Sequence, residues 1–521
     1  MIRLSNIKIE VDNTPKESLY SYILKKYHLN KINKLTINKR SIDGRKSIVY
    51  YNYEIDLSID NEKDFLKKHP EAKITPNEKY IYHQARWHDL PPIIVGSGPA
   101  GLFCAYTLLK GGIKPIIIER GENITDRINS VNNFWHNNIL NPDSNVQFGC
   151  GGAGTFSDGK LNTLKSDKDF RQKEILKIFH QMGGDESITY DNKPHIGTDY
   201  LQTVIKNMCE ELTQMGATFM FNTKLTNIKT ENNNIKSIEI NNSKWLDTNT
   251  LILAIGHSAR DTFLLLHESG LNMENKPFAI GIRVEHPQEL INKNQYKEYA
   301  KYLPPASYKL TYHTKDNRGV YSFCMCPGGY VVNASSEPNK LCINGMSNFN
   351  RESSNANSAI IVSINEKDYG QELFAGMRLQ QKLESLTFNY ANGLIPTQRY
   401  EDFLENKKST CFNSVKPVHK GNTAYANLKE ILPSYISNNI EEAMEHFNTL
   451  IKGFNHPDTL LSCIEARTSS PIRINRDDNY ESNIKGIYPC GEGSGYAGGI
   501  MTSAMDGMRT AESIIQKNSN S

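Results

Sequence analysis

The fold of this chain is decided by "PPIIVGSGPAGLFCAYTLLKGGIKPIIIERG", residues 91–121. A short apolar run, Ile93 to Val95, predicts a buried strand, and a helical pattern from Leu102 to Lys110 follows the glycine-rich turn. A second strand, Pro115 to Ile118, then ends at Glu119. The strand, the turn, the helix, the second strand and the acidic residue follow one another in the expected order and spacing. Together they predict an α/β domain that binds a dinucleotide.

The turn has the GxGxxG spacing, and each glycine in it has a physical role. Gly96 permits the tight turn after the strand, Gly98 lets a pyrophosphate approach the backbone, and Gly101 lets the helix pack closely on the sheet. Pro99 and Ala100 lie between them, next to the helix N-terminus. The N–H groups there carry a partial positive charge that attracts phosphate, so we expect these five residues to contact the cofactor.

An acidic residue closes this motif. Glu119 lies 23 residues after Gly96, at a position where a carboxylate can accept hydrogen bonds from an adenosine ribose. The same carboxylate disfavours a 2′-phosphate, so NADP is not expected at this site. The motif is typical of both FAD and NAD sites, and the choice between them depends on the rest of the chain.

The C-terminal stretch "GIYPCGEGSGYAGGI", residues 486–500, favours FAD. In FAD proteins of the glutathione-reductase type, the chain returns to the same sheet near its C-terminus, and a carboxylate there binds the ribityl chain. A helix beginning near Gly499 would direct its N–H groups at flavin N1 and O2. The strand "TLILAIG", which ends at Gly256, runs toward the same place. The residues expected to contact FAD here are Gly491, Glu492, Gly498, Gly499 and Ile500, together with Gly256.

A third glycine-rich stretch, "NVQFGCGGAGTFSDGKLNT", covers residues 145–163. Glycines in this loop would let it lie flat on the pyrophosphate or on the flavin ring. Lys160 either places a cation near the flavin or pairs with Asp158, and both interpretations stay open. The residues expected at the cofactor are Gly151, Gly152, Ala153 and Gly154.

Together with these stretches, "PHIGTD" (194–199), "FAIGIRVEHP" (278–287), "EARTSSPIR" (465–473) and "ERG" with Arg127 downstream complete a pattern that covers residues 90–510. In this pattern the chain resembles an uncharacterised bacterial family of FAD-dependent dehydrogenases, whose members have an N-terminal appendage and a glutathione-reductase-type FAD domain. The resemblance implies non-covalent FAD and redox chemistry, and it names no substrate. It adds Arg120, Arg127 and Leu225 to the expected cofactor contacts. Cys150 stands where the pattern "FGxGGAG" is expected to have an acidic residue.

The predicted organisation is a glutathione-reductase-type FAD-binding Rossmann domain with a strand-rich insertion and a small appendage. Residues 1–88 form the α+β appendage, 89–270 the first part of the FAD domain, 271–439 the inserted substrate domain and 440–521 the second part of the FAD domain. The helical pattern of residues 437–454 is interpreted as core packing.

Candidate catalytic residues should lie where the insertion meets the flavin. We name Lys160, His195 and Arg467. His195 would move protons to or from a substrate, or it is a histidine satisfied at a domain seam. Arg467 would recognise a carboxylate, or it forms a salt bridge across the domain junction.

Other polar residues in the same region have two interpretations each. Arg283 and His286 would bind an anionic substrate, or they pair with Glu285. Arg473 has the same two interpretations as Arg467: it would recognise a carboxylate, or it forms a salt bridge across the domain junction. Cys324 and Cys326 have CxC spacing in an apolar strand. Alternate strand residues that face one side as core thiols are favoured over a redox disulfide.

Composition narrows the class of protein. The 521 residues are 38% hydrophobic with a net charge of +3, which suits a globular enzyme. We find no apolar leader and no apolar run long enough for a membrane span, so a cytoplasmic location is expected. The nine cysteines are odd in number and scattered, which is typical of reduced thiols. No Cys or His spacing suggests a metal site.

The predicted function is that of an FAD-dependent oxidoreductase that moves a hydride or electrons between an organic substrate and flavin N5. A second GxGxxG motif is absent from the sequence, so NAD(P)H would visit only as a transient donor. A flavin monooxygenase is the alternative enzyme. RNA modification or RNA binding is a further alternative, based on the basic cluster of Lys34, Lys39, Arg40, Arg45 and Lys46, which is otherwise a solvated face.

Overall fold

The computed structural model describes residues 1–11, 19–44, 48–163 and 165–519. Within these ranges the strands, in chain order, are β1 Ile2–Glu10, β2 Lys34–Asp43, β3 Tyr50–Ser58, β4 Lys73–Ile74, β5 Ile93–Val95, β6 Ile116–Ile118, β7 Thr218–Met220, β8 Leu225–Glu231, β9 Asn234–Ile240, β10 Lys244–Asp247, β11 Leu251–Leu253, β12 Met273–Asn275, β13 Phe278–Pro287, β14 Thr311–His313, β15 Gly319–Cys326, β16 Tyr330–Asn333, β17 Ile343–Met346, β18 Asn355–Ile364, β19 Ile395–Arg399, β20 His419–Lys420, β21 Thr423–Tyr425, β22 Leu460–Glu465, β23 Ile472–Ile474 and β24 Ile487–Pro489. The α-helices are α1 Leu19–Lys26, α2 Glu62–Lys68, α3 Pro99–Lys110, α4 Ile124–Asn137, α5 Arg171–Gln181, α6 Gly197–Gln214, α7 Arg260–Glu268, α8 Gln288–Tyr296, α9 Glu366–Tyr369, α10 Ala375–Ala391, α11 Tyr400–Leu404, α12 Ser434–Leu450 and α13 Ile500–Ser519.

A five-stranded parallel sheet forms the centre of the dinucleotide domain. Its strand order is β24-β11-β5-β6-β7, and every neighbouring pair is parallel. Strands β5, β11 and β24 are buried triplets, as expected for a sheet that is covered on both faces. The C-terminal strand β24 therefore joins the sheet that β5 begins, which confirms the predicted Rossmann domain.

Helices α3 and α13 pack on this sheet at close distance. A Cβ atom at Gly507 of α13 would lie 2.1 Å from the carbonyl oxygen of Ala100 in α3. A Cβ atom at Gly101 would lie 2.0 Å from the carbonyl oxygen of Gly96. Glycine at both positions lets the two helices bring their N-termini to the same edge of the sheet.

The inserted domain is built on a seven-stranded sheet with the order β14-β15-β18-β13-β22-β19-β21. The prediction that this domain ends at residue 439 is corrected, because β22 pairs with β13 and β19 inside the sheet. Helix α12 also belongs to it, since Ile440, Met444 and Phe447 are buried in the core of this sheet. Their interpretation as core residues agrees with the structure. The antiparallel strands β12 and β23 connect the two domains.

The N-terminal domain is a four-stranded sheet, β2-β3-β1-β4, with helices α1 and α2. Of the proposed basic cluster, Arg45 and Lys46 lie outside the described residues. Arg40 forms a bidentate ion pair with Asp191 of the dinucleotide domain, with nitrogen-to-oxygen distances of 2.6 and 2.9 Å. This cation therefore joins two domains, and we do not carry the RNA alternative further.

Within the described ranges, no helix is both long enough and apolar enough to cross a lipid bilayer. No group of three or more His, Cys, Asp or Glu side chains in the same ranges is arranged to hold a metal ion.

Candidate functional site

A cleft opens at the carboxyl ends of β5, β11 and β24, between the parallel sheet and the inserted domain. The predicted residues that line it come from all three glycine-rich stretches, from "TLILAIG" and from the second strand. They are Gly96, Gly98, Pro99, Ala100, Glu119, Arg120, Gly152, Ala153, Gly154, Leu225, Gly256, Glu492, Gly498, Gly499 and Ile500, together with Lys160 and Arg467.

The N-terminus of α3 faces one end of the cleft. Gly98 is its N-cap residue, and no side chain of the described residues caps the helix there. The first amide groups are thus left for a ligand, which is the arrangement that binds phosphate. Gly152 closes the turn from the other side, since a Cβ atom on it would lie 2.9 Å from the Cα atom of Gly98. The site fits a pyrophosphate group.

Glu119 connects three segments of the cleft wall. One carboxylate oxygen accepts hydrogen bonds from the backbone N–H and the hydroxyl of Ser97, at 3.0 and 2.8 Å. The other accepts from the N–H groups of Gly121 and Gly149, at 3.0 and 3.1 Å. The side chain lines the cleft and is buried. It therefore holds the first turn and the loop of residues 145–163 together, besides being placed to meet a ribose.

We predict that Glu119→Ala weakens FAD binding by roughly 1–3 kcal/mol, because a hydrogen-bond acceptor for the ribose is lost and the amides that it holds lose their partner. The measurement is a titration of apoprotein with FAD, followed by flavin fluorescence. Glu122→Ala is the matched control, since its carboxylate lies three residues away and outside the cleft lining. Wild-type affinity in the Glu119 variant would mean that the carboxylate does not contact the cofactor.

The cleft lining does not include Arg127, Gly101, Gly151 or Gly491, although we expected them at the cofactor. Arg127 is 0% exposed and lies behind the loop of residues 145–163. Its guanidinium group donates to five backbone carbonyl oxygens of that loop. The three glycines provide close packing, and a Cβ atom at Gly491, for example, would lie 2.7 Å from that of Ala100. These residues shape the site from outside it.

The opposite end of the cleft is lined by glycines that face open space. A Cβ atom built on Gly256, Gly498 or Gly499 has no atom of the described residues within 4 Å. Such bare backbone at the start of α13 leaves room for a flat ring system. The free amides of that helix end would face it. This cradle fits a flavin, so the cleft accommodates both ends of FAD.

His257 lies beside this cradle, and the sequence analysis did not identify it. Its Nδ1 atom is 3.5 Å from a carboxylate oxygen of Glu492. Its Nε2 atom is buried and has no hydrogen-bond partner among the described residues. Burial, together with Arg467 and Arg260, lowers the pKa of His257 to about 3, so the imidazole is neutral. It directly follows Gly256, and no other feature of the sequence marks it.

Glu492 is the carboxylate expected at the ribityl chain. Its side chain is 22% exposed, and burial raises its pKa to about 7, against the opposing effect of Lys276. A carboxyl group with this pKa exchanges protons at neutral pH. The pair of Glu492 and neutral His257 therefore offers both a donor and an acceptor to whatever binds beside them.

This raised pKa predicts a pH dependence of apoprotein stability. A carboxyl group whose folded-state pKa lies above its ordinary value of 4.5 contributes most to stability at low pH, and the contribution is lost as the pH rises through about 7. Glu492→Gln should remove this dependence, which we expect to span roughly 1–3 kcal/mol after allowance for partial exposure. Thermal unfolding of flavin-free wild type and variant across this range measures it. Parallel curves for the two proteins would contradict the prediction.

Lys160 and Asp158 form an ion pair at the edge of the cleft. The Lys160 ammonium group lies 2.8 Å from the Asp158 carboxylate and donates to the carbonyl oxygen of Met325. Arg351 also binds Asp158, at 2.9 Å. Although burial opposes the charge, these cations hold the pKa of Asp158 well below its ordinary value. The pairing with Asp158 agrees with one interpretation of Lys160, and since the paired cation also lines the cleft, a place near the flavin stays a prediction.

His195 occupies a seam and lies outside the cleft lining. Its ring nitrogens are 3.2 and 2.9 Å from the carbonyl oxygens of Asp158 and Phe349, and its ring stacks on Phe349. Burial lowers its pKa. The neighbouring Thr198 lies inside α6 and donates to the carbonyl oxygen of Thr155. The geometry of His195 matches the structural interpretation.

Arg467 lines the cleft but is already paired. Its Nε and Nη2 atoms both lie 2.8 Å from the carboxylate of Glu384 in α10. Arg260 binds the same carboxylate through two nitrogens. The two arginines and Glu384 are buried at the junction of the domains. This arrangement matches the salt-bridge interpretation of Arg467.

The remaining polar candidates have partners within the described structure. Arg283 is bound by Glu465, at 2.9 and 3.0 Å, which corrects the expected pairing with Glu285. Glu285 instead accepts a contact of 2.7 Å from His419. His286 contacts the carbonyl oxygen of Phe454, and Arg473 pairs with Glu274, both away from the cleft lining.

Several cleft residues come from the inserted domain and were not predicted as a group. They supply an aromatic ring, a thiol, an amide and a hydroxyl group opposite the flavin cradle. The residues are Phe323, Cys324, Asn344 and Thr468. Because they lie on different strands and loops, only the folded inserted domain brings them together.

Three family models match this chain. "NAD(P)-binding Rossmann-like domain" matches residues 94–159, which contain β5, α3 and β6. "FAD-dependent protein, C-terminal domain-like" matches residues 277–468, nearly the same span as β13 to β22. A domain of unknown function matches residues 1–58. The first of these matches covers only part of the dinucleotide domain, whose sheet also contains β7, β11 and β24, and the last one ends before α2 and β4.

An uncharacterised protein of Clostridium beijerinckii is 42% identical over 530 residues, covering 99% of each chain. Among solved structures, L-proline dehydrogenase from P. horikoshii aligns with a TM-score of 0.40 and 11% identity, over 84% of this chain and 95% of that one. Glycine oxidase from Bacillus cereus aligns with a TM-score of 0.37 and 11% identity, over 82% of this chain and 97% of that one.

Proposed function

We propose, from the premise that the chain belongs to a family of uncharacterised FAD-dependent oxidoreductases, that it is a dehydrogenase or reductase acting on a small organic substrate. FAD supplies an acceptor for a hydride or for two electrons at its N5 atom. The residues proposed to hold the cofactor are those of the cleft lining. The proposed substrate lies on the side of the inserted domain.

The observation that carries this proposal is the fit of the cleft to FAD at both ends. The uncapped helix at Gly98 suits the pyrophosphate, Glu119 suits the ribose, and the open cradle of Gly256, Gly498 and Gly499 suits the flavin ring. The inserted domain lines another side of the cleft, through residues that include Phe323, Asn344 and Thr468. Neutral His257 and the Glu492 carboxyl group are proposed to hold or move a proton there.

NAD(P)H is proposed as the transient electron donor. The described residues contain one Rossmann sheet, and its dinucleotide site is the one assigned to FAD. A nicotinamide would therefore have to reach the flavin through the open side of the cleft. This arrangement leaves NAD(P)H without a domain of its own.

Anaerobic reduction of the bound flavin tests the proposal. Holoenzyme is mixed separately with NADH, with NADPH and with pools of metabolites, and flavin absorbance is followed while products are identified by mass spectrometry. Bleaching by one of these compounds, with a product that has lost a hydride or two hydrogen atoms, supports it. A product that has gained an oxygen atom after air is admitted would instead establish the monooxygenase. Flavin that no compound bleaches contradicts the proposed reaction.

We also predict that FAD is bound tightly but without a covalent bond. Of the two cysteines near the proposed site, Cys150 is buried outside the cleft lining, and Cys490 is buried at its base. Burial raises the pKa of Cys490 well above its ordinary value, so its thiol is protonated and a poor nucleophile. Acid precipitation should release the yellow colour into the supernatant, and colour retained in the protein pellet would contradict the prediction.

A further inference from the structure

Cys324 does not have the backbone of an ordinary strand residue. Its φ angle is +45°, in the left-handed region that side chains rarely adopt. The register of β15 against β18 shifts between Phe323 and Cys326, so Cys324 lies in a bulge. Backbone strain of this kind persists where the surrounding structure holds it, often at functional sites. The sequence-based interpretation of both cysteines as core thiols on one face is therefore corrected.

The bulge separates the environments of the two thiols. Cys324 is partly exposed and lines the cleft opposite the flavin cradle, whereas Cys326 is buried beneath it. The Cys326 thiol lies 3.2 Å from the carbonyl oxygen of Cys324. The two residues are thus in contact, and one of them lines the cleft.

Two cations surround this pair. Arg283 donates to the carbonyl oxygen of Cys324 at 3.2 Å, and Lys160 donates to that of Met325, between the two cysteines. A hydrogen bond from the Cys326 thiol, with Lys160 and Arg283, holds the pKa of Cys324 well below its ordinary value. The pKa of Cys326 is raised in return. A thiolate beside a thiol is the arrangement of reactive dithiols.

We propose that Cys324 and Cys326 form a redox-active dithiol that exchanges two electrons with FAD, and that the substrate class of this enzyme is a small disulfide. This inference rests on the proposed function, because it takes the flavin as its electron source. It assigns the organic substrate that the proposed function leaves open. It also gives Lys160 a role, since its ammonium group stabilises the thiolate.

The exchange balances in atoms and electrons. The Cys324 thiolate attacks one sulfur of the substrate disulfide and releases a thiolate, which takes a proton. The sulfur of Cys326 then attacks Cys324, forming the internal disulfide and releasing the second thiol. Two electrons from reduced flavin break that bond and regenerate one thiolate and one thiol with uptake of a proton. NAD(P)H, the proposed hydride donor, reduces the flavin again.

A second thiol pair provides a matched control. The sulfur atoms of Cys150 and Cys209 are 3.2 Å apart, so this pair could also be oxidised. Both residues lie outside the cleft lining; Cys150 belongs to the loop of residues 145–163 and Cys209 to α6. Electron exchange with FAD is expected of the pair at the cleft and not of this one.

The first test counts electrons. Holoenzyme is oxidised with diamide, desalted and titrated anaerobically with dithionite. Wild type and Cys209→Ser should take up about four electrons per chain, and Cys324→Ser and Cys326→Ser about two, with flavin absorbance confirming that each variant is folded. If wild type takes up only two electrons per chain while its flavin is bleached, the redox-active dithiol is contradicted, but the proposed oxidoreductase function is not. Flavin that is never reduced overturns both. If Cys209→Ser takes up two electrons fewer than wild type, those electrons belong to the pair of Cys150 and Cys209, and the proposal is contradicted.

Mass spectrometry locates the bond. The tryptic peptide of residues 319–340 contains Cys324 and Cys326 and no other cysteine. From oxidised wild type it should be two hydrogen atoms lighter than the dithiol peptide and should resist alkylation, and after dithionite it should take two alkyl groups. Full alkylation of the oxidised protein contradicts the internal disulfide.

The substrate class is tested with hydroxyethyl disulfide. Photoreduced holoenzyme is mixed anaerobically with this compound, and the return of flavin absorbance is recorded. Wild type should reoxidise, and Cys324→Ser and Cys326→Ser should do so at least about tenfold more slowly. Reduced wild type that stays bleached, or variants that match its rate, overturns the assignment of a disulfide substrate.

Discussion

A valine at position 498 or 499 should give a folded protein that purifies without flavin. A Cβ atom at either glycine has no atom of the described residues within 4 Å, because both positions face the open cleft. A branched side chain would fill the space of the flavin ring and move it away from the amides of α13. We expect the flavin absorbance per chain to fall by at least about tenfold, which corresponds to about 1.4 kcal/mol or more of lost binding. Absorbance and circular dichroism measure colour and folding.

Backbone strain requires a control of its own. Gly499 has a φ angle of +125°, where valine is strained whatever the space, whereas Gly498 has no such angle. Gly270→Val is matched to Gly499→Val, since Gly270 has a φ angle of +91°, also faces open space and lies outside the cleft lining. This control should stay yellow. If both cleft variants are folded and fully yellow, these glycines do not contact a flavin.

The parts of the fold that the sequence predicted are those in which neighbouring residues decide the structure. Strand β5, the glycine turn and α3 are adjacent in the chain, and their pattern needs no distant partner. The end of the inserted domain was misplaced because β22 is assigned by its partners. It pairs with β13 and β19, which lie far away in the sequence. An isolated apolar strand fits either sheet equally well.

The candidate site divides in the same way. Glycines and Glu119 were recognised from spacing, since their roles follow from the shape of one turn. His257 was missed because a histidine after a strand has no pattern of its own. Arg283 was expected to contact Glu285, two residues along the strand, but its partner Glu465 comes from the neighbouring strand. Side-chain pairing across a sheet depends on register, which local sequence does not specify.

Cys324 is the clearest case of a residue whose environment reverses the sequence-based interpretation. Alternation along a regular strand would place Cys324 and Cys326 on the same side, which is why both were assigned to the core. A bulge with a left-handed residue breaks that alternation and turns one thiol to the cleft. The bulge arises from pairing with β18, which is distant in the sequence. The CxC spacing could therefore indicate the two cysteines but not the different environments of their thiols.

Arg127→Met should destabilise the protein itself, by about 3–5 kcal/mol, because a buried charged donor is removed from several acceptors at once. The guanidinium group holds the carbonyl oxygens of Asn145 and Val146 at 2.9 and 3.0 Å and that of Cys150 at 2.6 Å. Methionine has a similar length but donates no hydrogen bond, so these buried oxygens would lose their partner. The loop of residues 145–163 would then loosen, and FAD would be lost as a consequence.

The stability of the flavin-free variant distinguishes two roles of Arg127: holding the loop of residues 145–163, as the structure indicates, and contacting the cofactor, as the sequence predicted. If Arg127 held the cofactor directly, flavin-free Arg127→Met would be as stable as flavin-free wild type. If it holds the loop, the flavin-free variant should already unfold at a lower temperature, and Arg127→Lys should restore part of the loss because it keeps the charge with fewer donors. Arg120→Met is the control, since Arg120 lines the cleft and pairs with Asp143 and Asp261 near the surface. It should lower FAD affinity with little change in the unfolding temperature of the flavin-free protein, because solvent replaces much of what exposed ion pairs contribute.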